Sequence, residues 1–91
     1  MIINAAIQLV PVNVTNGYAM VDRAIEIIAA SGLSHQVGPF STSVEGTFEE
    51  VVALVEKIKN RLLASELNEL LLNVQFHCKA DGDVRAADKV N

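Results

Sequence analysis

Within Thr42-Ser43-Val44-Glu45 the chain places two hydroxyls and a carboxylate in one strand length, just after the turn signal Gly38-Pro39. Carboxylates are uncommon inside strands unless something pairs with them. Glu45 is therefore the acid whose position asks for an explanation. One reading is an acceptor for a cationic or amino-bearing ligand, with Thr42 and Ser43 adding short-range hydroxyl contacts. The other is a strand-end glutamate that reaches water, or that pairs with Lys79 or with an arginine of a neighbour. Phe40, Phe48 or Tyr18 offers an apolar or aromatic wall for a ligand ring.

The other residues capable of chemistry carry less. His35, His77 and Cys78 are the candidate metal ligands, but adjacent strand residues point to opposite faces, so His77 and Cys78 do not chelate one ion. Cys78 is expected as a core-facing thiol, and His77 as an exposed or interface imidazole rather than a base. Ser41 and Ser43 lie close to Glu45, without a G-x-S-x-G elbow or a matching base. No G-x-G-x-x-G or Walker loop is present. Asp81-Gly82-Asp83 falls far short of a calcium loop and reads as a turn and cap. With no nucleophile–base pair to assemble, an enzyme acting on a small ring is the least favoured class. No catalytic residue, metal or cofactor is assigned.

These residues have to be positioned by the elements around them. Residues 2 to 10 alternate, with Ile3, Ala5, Ile7 and Leu9 on one face and Asn4, Ala6 and Gln8 on the other. Pro11 ends this strand, and Asn13, Thr15 and Asn16 are candidate helix caps. The first helix is predicted from about Gly17 to Ser31, with Val21, Ala24, Ile25 and Ile28 as its buried stripe. Gly32 stops it. Strands follow at Leu33–Gly38 and Ser41–Glu45, joined through Gly38-Pro39. Thr47-Phe48-Glu49-Glu50 fits a capping box that launches a second helix, Phe48 to about Ala64. Val51, Leu54, Val55, Ile58 and Leu62 line that helix. A fourth strand, Leu70–Lys79, puts Leu70, Leu72, Val74, Phe76 and Cys78 on one face, and Asp83 is placed to cap a short terminal helix from Val84 to Val90.

The order βαββαβ predicts an α+β ferredoxin-like sandwich: a four-stranded antiparallel sheet, both helices on one face, and a short C-terminal helix. The expected core is Ile3, Ile7, Val21, Ile25, Ile28, Val44, Val51, Val55, Ile58, Val74 and Phe76. The face the helices leave open collects Asn4, Ala6, Gln8, Leu71, Asn73, Gln75 and His77, and by parity Gln36, Ser43 and Glu45. Neutral amides dominate it. They suit a polar subunit interface, or a heteroaromatic ligand with mixed hydrogen-bonding edges. Parity across Pro39 is the sensitive point, because a slip of one residue swaps the faces of the third strand.

Length and composition bound the rest. The 91 residues are read as a single domain, 1–91. A domain of this size buries only about 60–65% of its unfolded surface, yet 51% of its residues are hydrophobic. Apolar surface is left over for contacts between copies, predicting a homodimer or homotetramer. Seven basic against eleven acidic residues give a net charge of −4. The cations are dispersed and aromatics are few, which argues against nucleic acid. No apolar run approaches the ~18 residues of a membrane span, and no export signal is apparent. With the lone Cys78, a cytoplasmic location is expected.

Gly38-Pro39-Phe40-Ser41-Thr42-Ser43-Val44-Glu45-Gly46 followed by Phe48-Glu49-Glu50 resembles the signature of the small thiamine-binding proteins, relatives of the two-domain YkoF-type proteins. The likeness runs over nearly the whole chain, and the family's motif matches at Gly38, Pro39, Thr42, Glu45 and Gly46. Phe40-Ser41 lies in its more variable interior. The resemblance implies the same ferredoxin-like fold. It also implies non-enzymatic binding of thiamine, or of its hydroxymethylpyrimidine moiety, by a homotetramer. Thiamine has an aminopyrimidine edge and a cationic thiazolium ring, both of which suit Glu45. The expected ligand residues are Gly38, Phe40, Thr42, Ser43, Glu45 and Phe48. The competing expectation is a structural or regulatory interaction module whose open sheet face binds only protein.

Overall fold

The computed structural model describes residues 1–65 and 67–85. The alternating N-terminal segment forms β1, Ile3–Pro11, and the two amphipathic segments form α1, Gly17–Ala30, and α2, Phe48–Ser65. Between the helices lie β2, Ser34–Val37, and β3, Thr42–Gly46; β4, Leu70–His77, follows α2. The strands make one antiparallel sheet in the order β2-β3-β1-β4. With both helices packed on one side, this is the ferredoxin-like sandwich expected from the pattern.

Local chemistry fixes the helix ends. Asn16 Oδ1 accepts from the Ala19 N–H at the start of α1, satisfying one orphan amide. Past the C-cap Ser31, Gly32 has φ +79°, a conformation glycine adopts without a Cβ clash. At α2 the capping box is reciprocal. Thr47 N–H donates to Glu50 Oε1 at 2.9 Å, and Glu50 N–H donates to Thr47 Oγ1 at 3.2 Å.

The core lies between the helices and the face carrying Ile3, Ala5, Ile7 and Val44, against Ala24, Ile27, Ile28, Val51, Leu54, Ile58 and Leu62. Several expected core positions differ. On α1 the buried seam runs through Ile27, while Val21 and Ile25 are only half-buried. The arc facing inward is set jointly by the sheet and by α2, which contacts α1. Val55 and Val74 are half-buried against the core. Phe76 is 38% exposed, because it stands near the end of an edge strand and stacks on Phe48 at the start of α2. Cys78 is exposed rather than core-facing, since β4 ends one residue before it. Leu67 and Val84 are buried additions.

The expected C-terminal helix falls mostly on residues 86–91, which lie outside the described residues; Val84 and Arg85 are not helical. Asp83 has a different role. Its Oδ1 accepts from the Ile2 N–H at 2.8 Å, and the Val84 N–H donates to the Ile2 carbonyl at 2.9 Å. Residues 83–85 are thus clasped to the start of β1.

Candidate ligand site

Register assigns each candidate residue to a face. Asn4 sits between Glu45 and His77, Ala6 between Ser43 and Gln75, and Gln8 opposite Asn73. Ser34 and Gln36 continue these rows on β2. Directly paired residues share a face, so Asn4, Ala6, Gln8, Gln36, Ser43, Glu45, Asn73, Gln75 and His77 all lie on the open face. Thr42 pairs with Ile7 and Val37, and therefore faces the helices.

The six expected ligand residues consequently fall in three places. Gly38, Phe40 and Thr42 line a cleft of about 240 Å³ between α1 and the sheet, together with Tyr18, Val21, Ile25, Gln8 and Leu9. Ser43 and Glu45 stand on the opposite face of the sheet. Phe48 packs on Phe76, with ring centroids 5.0 Å apart and planes at 41°, toward the Gly46 end of β3 and away from the cleft. Tyr18, Val21, Ile25 and Leu9 were expected as wall, core or strand residues. Their convergence depends on how α1 lies over β1, which short-range patterns do not encode.

The cleft combines few polar groups with many apolar ones, the usual make-up of a small-molecule site. Thr42 is 6% exposed, and its side chain forms no hydrogen bond among the described residues. Tyr18 and Phe40 are 87% and 81% exposed, and stand as aromatic flanks of a site whose floor is Ile7, Leu9 and Ile28. Gly38 closes the β2–β3 hairpin, donating from its N–H to the Ser41 carbonyl at 2.9 Å. A Cβ there would lie 2.9 Å from that oxygen, so the tight loop requires glycine.

On the open face a second, shallower space of about 580 Å³ is lined by Ala6, Gln8, Phe40, Ser41, Asn73 and Gln75. Gln8 Oε1 accepts from Asn73 Nδ2 at 3.2 Å. At the far end of this face Glu45 is engaged by Arg85, with Nη1 3.9 Å from Oε2. Among the described residues, the arginine beside Glu45 is one of its own chain, Arg85. Asn4 is 5% exposed and its Nδ2 has no hydrogen-bond partner among the described residues. The 83–85 segment, tied to Ile2 and Glu45, lies at this end of the sheet. Among the described residues no group of three or more His, Cys, Asp or Glu side chains is placed to hold a metal ion. No helix is long and apolar enough to cross a membrane.

Comparison with known proteins adds the following. A family model described as thiamine-binding protein matches residues 5–91. A UPF0045 protein of Clostridium perfringens is 28% identical over 80 residues, covering 87% of this chain and 84% of its own length. A solved structure from Thermotoga maritima, provisionally described as a thiamine biosynthesis/salvage protein, superimposes with a TM-score of 0.91 at 32% identity, covering 99% of this chain and 96% of that one. A domain of unknown function from Bacillus cereus superimposes with a TM-score of 0.90 at 23% identity, covering 99% and 88%, a likeness of fold.

Proposed function

Because the chain belongs to the thiamine-binding protein family, we propose that it binds thiamine, or the hydroxymethylpyrimidine part of it, without catalysing a reaction, as a homo-oligomer in the cytoplasm. The observation that carries this reading is the α1–β-hairpin cleft, where Thr42 and Gln8 meet the aromatic flanks Tyr18 and Phe40. At about 240 Å³ the cleft is smaller than the roughly 300–1,000 Å³ of drug-sized pockets. It therefore suits one substituted ring, with the remainder of a larger ligand outside. The Thermotoga maritima structure, at 32% identity, supports the same ligand class.

Within this proposal Gly38, Phe40 and Thr42 border the ligand, while Ser43 and Glu45 belong to the open face and its contacts between copies. Phe48 acts through its packing on Phe76. The oligomer is supported by apolar side chains left in solvent, Leu71 at 54% and Val37 at 50% exposed, and by the amide rows of the open face. Lone Cys78 is in keeping with a reducing compartment.

Calorimetric titration with thiamine, hydroxymethylpyrimidine and thiamine diphosphate tests the reading. Saturable heat is expected with the first two. Heat with none of the three would remove the ligand and leave a protein-interaction module.

A further inference from the structure

The sheet has a notch. The β1–β3 ladder ends at the pair Ile7–Thr42, while the β1–β4 ladder continues to Pro11–Leu70. Past Ile7, one edge of β1 therefore has no strand beside it. Which backbone groups face that gap follows from one hydrogen bond. The Val12 N–H donates to the Glu69 carbonyl, in step with the β1–β4 register, so the even-numbered residues of β1 exchange bonds with β4. The odd-numbered residues then point their N–H and C=O toward β3: Ile3, Ala5 and Ile7 find partners there, and among the described residues Leu9 does not. In the β1–β3 register the residue opposite Leu9 would be Phe40, but the chain has already turned through Gly38–Ser41, and no backbone bond joins that turn to Leu9. Pro11, next along the same edge, has no N–H to offer, which is how a proline is accommodated in this ladder.

The notch lies where the two spaces meet. Gln8, Phe40, Ser41 and Leu72 line both the cleft under α1 and the trough on the open face, and Leu9 lines the cleft. A residue in extended conformation holds its N–H and C=O side by side, pointing the same way. That is a donor beside an acceptor, the complement of an aminopyrimidine edge.

We propose that the unpaired backbone edge of Leu9, in the notch where β1 outruns β3, is the recognition edge of the ligand site, and that it takes a planar nitrogen heterocycle bearing an amino donor next to a ring-nitrogen acceptor. The Leu9 N–H donates to the ring nitrogen and the Leu9 carbonyl accepts from the amino group, so the ring stands in for the missing β3 residue. The hydroxyl of Thr42, a residue 6% exposed whose side chain has no hydrogen bond among the described residues, is available to a substituent. A peptide strand is a poor occupant, because beyond the single Leu9 pair the edge offers only the proline, which cannot donate. The proposal rests on the thiamine-binding reading and specifies which atoms do the reading.

The test uses the wild-type chain, ¹⁵N-labelled, titrated with hydroxymethylpyrimidine and with its desamino analogue. Hydroxymethylpyrimidine at saturation is expected to shift the Leu9 amide resonance and slow its hydrogen exchange by at least about tenfold. The desamino analogue is expected to bind about tenfold more weakly, in keeping with one lost hydrogen bond. Saturable binding with shifts confined to Asn4, Glu45 and His77, or equal affinity for the two compounds, overturns the Leu9 edge and leaves the binding reading standing. No saturable shift with hydroxymethylpyrimidine or thiamine overturns both.

Discussion

Arg85 holds Glu45 across the sheet, Nη1 to Oε2 at 3.9 Å, on the face opposite Thr42. The motif acid thus answers to the C-terminal segment, and the cleft lies on the other side of its own strand. The Arg85 side chain is 49% exposed and that of Glu45 15%, so solvent screens the pair from the arginine's side only. Glu45→Gln is expected to leave hydroxymethylpyrimidine affinity within about twofold. A tenfold loss by calorimetry would place the ligand on the open face instead.

Thr42→Val replaces a hydroxyl that has no side-chain hydrogen bond among the described residues with a methyl of similar size. Stability to urea is expected to stay within about 0.5 kcal/mol of wild type, since no partner is orphaned. Ligand affinity is expected to drop about three- to tenfold, the worth of one hydrogen bond. If stability falls by several kcal/mol, Thr42 serves the core and not the ligand.

Leu71 is 54% exposed on the open face, opposite Val10. Light scattering is expected to return a multiple of 9.8 kDa at micromolar concentration for the wild type. Leu71→Glu places a charge on that apolar spot and is expected to lower the mass toward a single chain. A wild-type mass of 9.8 kDa would rule out the assembly.

Asp83 clasps the two ends of the described chain. The Ile2 N–H holds its carboxyl below the ordinary value of 3.8; desolvation opposes this, and Arg85 and the N-terminal ammonium add to it. A depressed folded value means the contribution is fully present above about 3.8 and is lost as pH falls through the lower folded value. Melting temperatures of wild type and Asp83→Asn should differ at neutral pH and converge in acid. A constant difference down to pH 2 would show that the Ile2–Asp83 bond does not depend on the charge.

The elements and the two faces were legible because each rests on neighbouring residues. Alternation marks β1, and Thr47 with Glu50 marks the start of α2. Even the parity across Pro39 holds, since the Gly38–Ser41 bond closes a two-residue loop that pairs Val37 with Thr42. What was not legible depends on distances between elements. Ile27 replaces Ile25 in the seam because α2 helps decide which side of α1 is inside. Phe76 follows the strand period but meets only the first residue of α2, Phe48, and β4 stops before Cys78. The assignment of Thr42 and Glu45 to opposite faces follows from alternation alone; that the cleft lies on only one of them does not. Nor does local sequence reveal that β1 outruns β3 at Leu9, or that Arg85 returns to Glu45.

The long β1–β4 ladder also sets the order in which this chain can be made. β1 leaves the ribosome about sixty residues ahead of its partner, which starts at Leu70. At about 5–20 residues per second, β1 waits on the order of several seconds for β4. In that interval the apolar side chains of Ile3, Ile7 and Leu9 have only β3 and the helices to shelter them. A nascent chain arrested before Leu70 should be cut readily by protease within β1. One released after His77 should resist.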